Sequence, residues 1–507
     1  MSTSIYAIVF AATGFALLHR FLAPKAINHF PAVPLLWTVL AMIKKLPFDD
    51  VLEYTTQISL VHKYKVVRAY FQGQWTLMVG CPLLAHDIYL DTKTFPKLVP
   101  EEHLPETVFA KLTGHSAFFS NDKAWRTHRK TLLDLTTFTT YVSKESTLSS
   151  TRLAELMTNM HAKITSHNTS KLDALKLMQS LTFDTLTTQF LNTNFNLTQS
   201  NNNPAASILN TFDNAFTYAF TLTTTLFPSL QHKHNPLYNK IYKDIQHWED
   251  CLKQIISSTR KAMQIELSST HQDLVTKMIQ ASKQTNYDVA TADEAILNNL
   301  KMLFLPSQSL PPALGAALHF LAQDSAIQDK AYQEIKSVVG NVCSGLALTQ
   351  SQMKAMPYLN AIVKETLRLY PTLCPPPKRI ASKNVTLGSH FIPKGTHLMI
   401  DAFAIQRDPS LWPNPNKFDP LRFIKNPNPS IHAGYLPFAG GARRCPGSQL
   451  VLDLMTNILA NILVYHTVKY PALEAASPKS HMKLKLKAQV ILIPENLELE
   501  FHPRQAN

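Results

Sequence analysis

The chain has 507 residues, a net charge of +14 and five cysteines. Its length allows several domains, but no Gly/Ser linker, acidic tail or repeat divides it after about the first three dozen residues, which favours one large domain. Cys81, Cys251, Cys343, Cys374 and Cys445 form an odd set without paired spacing, which argues against a disulfide framework; the absence of C-x-x-C and H-x-x-x-H argues against a zinc module. So basic a chain invites a nucleic-acid reading, yet no polybasic block interleaved with aromatics is present.

From the N-terminus, the run Ile5 to Leu18 is free of charge, and Phe21 and Leu22 extend it past His19 and Arg20. From Thr3 to Leu22 it is about long enough to cross a hydrocarbon core as a helix. Met1-Ser2-Thr3-Ser4 lacks the basic start of a cleaved signal peptide, and Arg20 and Lys25 follow the apolar run, which keeps the remainder cytoplasmic. The expected organisation is an anchor over 1–22, a proline-containing hinge over 23–35 that includes Phe30-Pro31-Ala32-Val33-Pro34, and a main domain over 36–507.

Further on, Val66 to Phe71 and Trp75 to Val79 are apolar, β-prone and separated by Gln72-Gly73-Gln74, which predicts a hairpin. From about Leu148 to Gln350 the periodicity is helical, interrupted by the polar stretch Thr198 to Pro204, which reads as a solvated loop. Lys378 to Asp401 holds further short strands, and Leu497, Leu499 and Phe501 alternate as in a terminal strand. Leu450, Leu454, Ile458 and Ile462 form an i,i+4 stripe, read as core packing. The prediction is a mainly α fold with small β-sheets.

The most informative run is Phe438-Ala439-Gly440-Gly441-Ala442-Arg443-Arg444-Cys445-Pro446-Gly447, which reads F-x-x-G-x-R-x-C-x-G. Each fixed position has a task if Cys445 ligates a haem iron as thiolate. Gly441 and Gly447 would allow a tight turn and close approach to a flat porphyrin. Phe438 would pack beneath the ring, Arg443 would pair with a propionate, and backbone N–H groups round the sulfur would tune its donation. A Gly-rich surface loop holding a free cysteine is the plain alternative, and five fixed positions weigh against it.

This run resembles the haem-ligand loop of the cytochrome P-450 superfamily, and other segments match in the same order. Glu365-Thr366-Leu367-Arg368 matches E-x-x-R, Phe418-Asp419-Pro420-Leu421-Arg422-Phe423 resembles F-x-P-x-R-F, and Trp125-Arg126-Thr127-His128-Arg129 supplies W-x-x-x-R. The resemblance spans about Trp125 to Arg504 and implies the superfamily's fold. It implies a buried Glu365–Arg368–Arg422 network, since a buried charge is tolerated only when paired. It also implies haem b bound by Cys445, with Trp125, Arg129, Arg379 and Arg443 at the propionates. The hinge resembles the family's proline-rich segment, which points to single-pass anchoring in the endoplasmic reticulum membrane. Basic charge would serve anionic headgroups or an acidic redox partner.

One segment departs from the pattern. The family's distal helix carries A-G-x-(D/E)-T-(T/S), and the counterpart here is Leu305-Pro306-Ser307-Gln308-Ser309-Leu310, followed by Pro311-Pro312. Gln308 replaces the acid and cannot release a proton near neutrality, whereas Ser309 keeps a hydroxyl. The three prolines predict a helix kinked or opened between about Leu305 and Pro312, by disturbing the carbonyls of Met302, Ser307 and Gln308. Alignment places substrate against Leu104, Val108, Phe109, Phe304, Leu305, Leu373, Cys374, Val490 and Ile491. The implied activity is insertion of one oxygen atom from dioxygen into an apolar small molecule of terpenoid, sterol, polyketide or fatty-acid type. Electrons would come from NADPH through an FAD/FMN reductase. The alternative is a haem-thiolate isomerase or dehydratase that needs neither dioxygen nor reductase.

Overall fold

The computed structural model of the protein describes residues 24–34, 40, 57–71, 73–136, 147–166, 171–191, 197–198, 205–219, 221, 224, 228–265, 274–283, 289–340, 345–373, 377–425, 433–471, 484–487, 491–494 and 497–504. The predicted anchor, Cys343, Cys374, Val490 and most of the polar stretch after Thr198 lie outside these residues.

The fold is predominantly helical with small sheets, as the periodicity predicts. Its largest apolar cluster is assembled from the helices Thr147–Ser166, Ala174–Leu191, Pro306–Gln323, Ser325–Val339, Pro357–Leu369 and Ser448–Tyr465. The last of these carries the predicted stripe. Leu454, Ile458 and Ile462 are buried and Leu450 packs at the cluster's edge. Among the described residues this is the one helix long and apolar enough to cross a membrane, and its buried stripe explains that apolarity as core packing.

A second apolar cluster is rich in aromatics, with Phe109, Phe119, Phe183, Phe212, Phe216, Trp248 and Phe304 among its members. The helix Pro306–Gln323 begins at this cluster and runs into the first: Leu305 packs on the aromatic side, and Leu310 belongs to the larger core.

The hairpin Val66–Phe71 and Gln74–Val79 forms in the register Val66↔Val79, with Gly73 at φ +74° supplying the turn. Gln74–Val79 then pairs in parallel with His397–Ile400, which pairs with Arg379–Ile380 to complete four strands. The Pro31–Val33 part of the expected hinge is docked on this sheet: Arg68 N–H donates to the Pro31 carbonyl at 2.8 Å and Val33 N–H to the Arg68 carbonyl at 2.9 Å. Leu499 and Phe501 are buried on the terminal strand Glu498–Pro503, in the expected alternation.

Cys81 and Cys251 are half-buried. One expectation needs correction. The distal helix opens earlier and for a shorter stretch than the prolines predict. Helix Val289–Leu303 ends, Phe304 and Leu305 form a turn, and Pro306–Gln323 continues as helix through Pro311 and Pro312. Pro306 has no N–H for the Met302 carbonyl, which instead accepts from Leu305 N–H at 3.2 Å. Phe304, Ser307 and Gln308 N–H groups likewise bond three residues back, so one tightened turn absorbs the defect. Pro311 and Pro312 are held in place by packing, because Leu310, Ala313, Leu314, Ala316 and Ala317 are all essentially inaccessible.

Candidate active site

The cysteine loop is built by two backbone constraints. Cys445 N–H donates to the Phe438 carbonyl at 3.0 Å, closing the loop, and Ser448 N–H reaches the Cys445 carbonyl at 3.4 Å where helix Ser448–Tyr465 begins. Gly441 has φ +62°, and a Cβ there would stand 2.3 Å from the Tyr89 carbonyl oxygen. Its close neighbour is therefore the backbone of the helix Pro82–Leu90 rather than open space. Gly447 differs: a Cβ there would meet no heavy atom within 4 Å, so the space beside the cysteine is open on that side. Phe438 packs against the main core. Burial pushes the Cys445 thiol up, while the Gly447 backbone N–H and the Arg129, Lys97 and Arg444 charges pull it down.

Around this loop the fold collects cations. Arg443 is buried, donates to the Phe118 carbonyl at 3.2 Å and Asn121 Oδ1 at 3.4 Å, and lies 4.6 Å over the Trp125 ring. Arg379, at 2% exposure, donates to the Phe95 carbonyl at 3.1 Å. Arg129 places a buried Nε with no partner. Lys97, which no sequence motif singled out, is buried too and donates to the Phe118 carbonyl at 2.8 Å. It pairs across an isolated antiparallel bridge with Arg379, which brings two distant segments to one place.

Burial and mutual repulsion weaken these cations. Arg443 falls to about 9 through burial and the Arg379 and Arg129 charges, and Arg379 to about 10 through burial. Lys97 drops well below the usual lysine value for the same reasons, first through burial and then through the Arg443 and Arg379 charges. Among the described residues none of the four forms an ion pair with a carboxylate. An unpaired buried charge costs several kcal/mol, so the arrangement fits an anionic group that enters it. A haem fits these residues: its propionates would meet the cations, and the Cys445 sulfur would supply a soft ligand for its iron.

The charged network beside the loop is fully formed. Arg368 is bidentate to Glu365, Nε to Oε2 at 2.7 Å and Nη2 to Oε1 at 2.8 Å, with both side chains inaccessible. Arg422 Nε adds 3.2 Å to Glu365 Oε1, which also accepts Asp419 N–H at 2.9 Å. Arg368 Nη1 then donates to the Gln406 and Pro415 carbonyls, both at 2.8 Å, tying the helix Pro357–Leu369 to the segment that leads into the cysteine loop. Two guanidinium groups share one carboxylate, and backbone carbonyls take their remaining N–H groups, so the polar groups of the network are satisfied.

On the distal side, Gln308 is buried and Ser309 half-buried, at the junction of the two clusters. Of the residues aligned with substrate contacts, Val108, Phe109, Phe304 and Ile491 belong to the aromatic cluster, and Leu104, Leu305 and Leu373 pack against it. Leu373 and Ile491 meet in an isolated bridge. A small cavity opens from this cluster between Ala174–Leu191 and the distal helix, lined by Phe183, Thr187, Phe190, Leu300, Phe304 and Ser307.

Comparison with known proteins agrees with this geometry. The sequence model of the family described as Cytochrome P450 matches residues 29–501. Curated relatives include "Cytochrome P450 3A13" of Mus musculus, 37% identical over 204 residues, which are 40% of this chain and 39% of the relative. "Cytochrome P450 98A8" of Arabidopsis thaliana is 34% identical over 197 residues, 38% of each chain. "Nicotine N-demethylase CYP82E3" of Nicotiana tomentosiformis is 30% identical over 271 residues, half of each chain. The matched part spans half or less of the length of these relatives.

Proposed function

The chain belongs to the cytochrome P450 family, and on that premise we propose that it is a haem-thiolate monooxygenase inserting one oxygen atom into an apolar small molecule. The observation that carries this reading is the set of cations gathered without carboxylate partners around the Cys445 loop, Lys97, Arg379 and Arg443 buried and Arg129 half-buried with an inaccessible Nε. Cys445 would hold haem b through its thiolate, and the four cations would take the propionates, with Trp125 under Arg443 as a flat support. When bound, the haem supplies the O–O cleavage that thiolate donation favours.

The remaining work falls to side chains. Burial of the cations excludes water from the propionate side, and the Glu365–Arg368–Arg422 network holds the loop that carries the cysteine. Ser309 can donate a hydrogen bond and pass a proton on the distal side, while Gln308 can only orient a partner, since its amide does not release a proton. Leu104, Val108, Phe109, Phe304, Leu305, Leu373 and Ile491, with Cys374 and Val490 beyond the described residues, would enclose the substrate. Such an apolar lining suits terpenoid, sterol, polyketide or fatty-acid skeletons alike.

Electrons would come from NADPH through an FAD/FMN-containing reductase docking on the basic cysteine side. The segment 1–22 would anchor the enzyme in the endoplasmic reticulum membrane, with 23–35 as hinge and 36–507 as the cytoplasmic catalytic domain. The replacement of the distal acid by Gln308 favours one second reading, rearrangement or dehydration of a preoxidised substrate without dioxygen. Incubation of the anchored protein with reductase, NADPH and a metabolite extract, followed by mass spectrometry, tests the first. Metabolites heavier by one oxygen support it; products that form without NADPH and dioxygen support the second.

A further inference from the structure

Two segments distant in sequence meet beside the aromatic cluster, one through Glu106 and the other through His232-Lys233-His234. Their backbones are fastened at several points. Thr107 and His232 form an antiparallel bridge, Lys233 N–H donates to the Glu106 carbonyl at 2.9 Å, and Phe109 N–H donates to Gln231 Oε1 at 3.2 Å. The Tyr242 hydroxyl lies 2.6 Å from the Glu106 carbonyl oxygen and 2.9 Å from that of Gln231. Glu106 itself sits at φ +56°, a conformation that a side-chain-bearing residue keeps only when its surroundings impose it.

The result is a convergence of three metal-ligating side chains. His232 Nε2 is 3.1 Å from Glu106 Oε2, the His232 and His234 ring centroids are 5.0 Å apart, and one ligand atom from each of the three lies within 4.8 Å of the others. A tetrahedral zinc ion with bonds near 2.0–2.1 Å sets its ligands roughly 3.3 Å apart, so rotamer adjustment of these exposed side chains suffices to close the set. Two imidazoles and one carboxylate, with a fourth position open to water, form a donor set suited to zinc rather than to calcium or magnesium. Lys233 now pairs with Glu106, and both side chains are more than two-fifths exposed. Releasing its ammonium into water costs little.

We propose that Glu106, His232 and His234 form a zinc-class divalent-metal site that staples these two segments together. Both flank the aromatic cluster: Val108 and Phe109 follow Glu106 into it, and Tyr242 packs against it from the helix after His234. An occupied site therefore fixes the wall of that cluster and slows exchange of apolar molecules through it. Metal binding is independent of the oxygenation reading; only the identity of the exchanging molecules rests on it.

The test uses the haem-loaded full-length chain. Zinc titrated by calorimetry should bind with one high-affinity event above the background of the chain's other histidines. His232→Asn, His234→Asn and Glu106→Gln should each weaken that event at least tenfold, and Lys233→Met should tighten it severalfold by removing the competing cation. Zinc K-edge absorption should report two imidazole ligands. Entry of pyrene into the apolar cluster, followed by its fluorescence, should slow severalfold with zinc and recover on chelation. Wild-type affinity in either histidine variant, a ligand shell without imidazole, or an entry rate indifferent to zinc would overturn the proposal. A protein that fails to oxygenate any metabolite yet binds zinc in this way would sink the functional reading alone.

Discussion

Lys97 and Arg443 donate to one acceptor, the Phe118 carbonyl oxygen, at 2.8 and 3.2 Å. Two buried cations facing one neutral oxygen repel each other, and the pair is tolerable once an anion lies between them. Lys97→Met should therefore act with opposite sign on the two forms. Without haem, the variant should be more stable towards urea than the parent, because a repelling charge is gone. With haem, it should lose the group to a scavenging globin several times faster. A variant that destabilises the haem-free form would show that the Lys97 contacts are structural.

Burial raises the Cys445 thiol, and the Gly447 N–H and nearby cations offset that effect only in part. Cys445→Ser keeps the size of the side chain and removes the soft donor. The reduced carbon monoxide complex should then lose its red-shifted band while the protein retains its far-ultraviolet helix signal. Survival of that band would assign ligation to another residue.

The cysteine loop and the Glu365–Arg368 pair are legible in the sequence because their geometry is local: fixed spacings on one loop or one helical turn. Lys97 is not. It lies in the apolar run Phe95-Pro96-Lys97-Leu98-Val99, and only the bridge to Arg379 reveals that two distant segments deliver their cations to one place. A lysine in such a run is the signal that could have marked it, since a buried amine needs a reason. Glu106 and the histidines of 232–234 were hidden likewise, because loops far apart in sequence meet only through tertiary contacts.

Pro311 shows where a local rule was outweighed by packing. The rule predicts disruption, yet the helix runs on through a face whose residues are almost wholly buried. Pro311→Ala restores an N–H for the Ser307 carbonyl and relieves a cost of about 3 kcal/mol. It also removes buried ring carbons worth about 1.5 kcal/mol. The balance favours the variant by roughly 1.5 kcal/mol, visible as a higher urea midpoint. A lower midpoint would mean that the ring's packing outweighs the missing hydrogen bond.

His161 and His466 face each other, Nδ1 to Nε2 at 3.2 Å, and burial lowers each to about 4 from the usual 6.5. Both are neutral in the folded protein where the unfolded chain is already protonated. Stability is therefore undiminished above pH 6.5 and falls as pH drops towards 4, by up to about 1.4 kcal/mol per pH unit for each histidine. Thermal midpoints measured from pH 7 to 5 should decline, and His466→Gln should flatten the decline. Equal slopes in parent and variant would locate the acid sensitivity elsewhere.

Ser309 and Gln308 decide between the two chemistries. They stand within one turn of Pro306, where the tightened turn ends, Gln308 buried and Ser309 half-buried. If oxygen insertion depends on protons relayed by the hydroxyl, Ser309→Ala removes the last donor that can exchange one at this position. NADPH would still be consumed, but the yield of product per NADPH should fall at least tenfold and peroxide should appear in its place. Gln308→Glu adds a titratable group beside the hydroxyl and should raise that yield above the parent's. Rearrangement makes a different demand, since the substrate brings its own oxygen and no proton relay to dioxygen is needed. In that case Ser309→Ala leaves turnover nearly unchanged, and product accumulates under argon without NADPH. The two variants assayed with and without dioxygen therefore separate the mechanisms by the sign and size of four rates, whichever substrate is used.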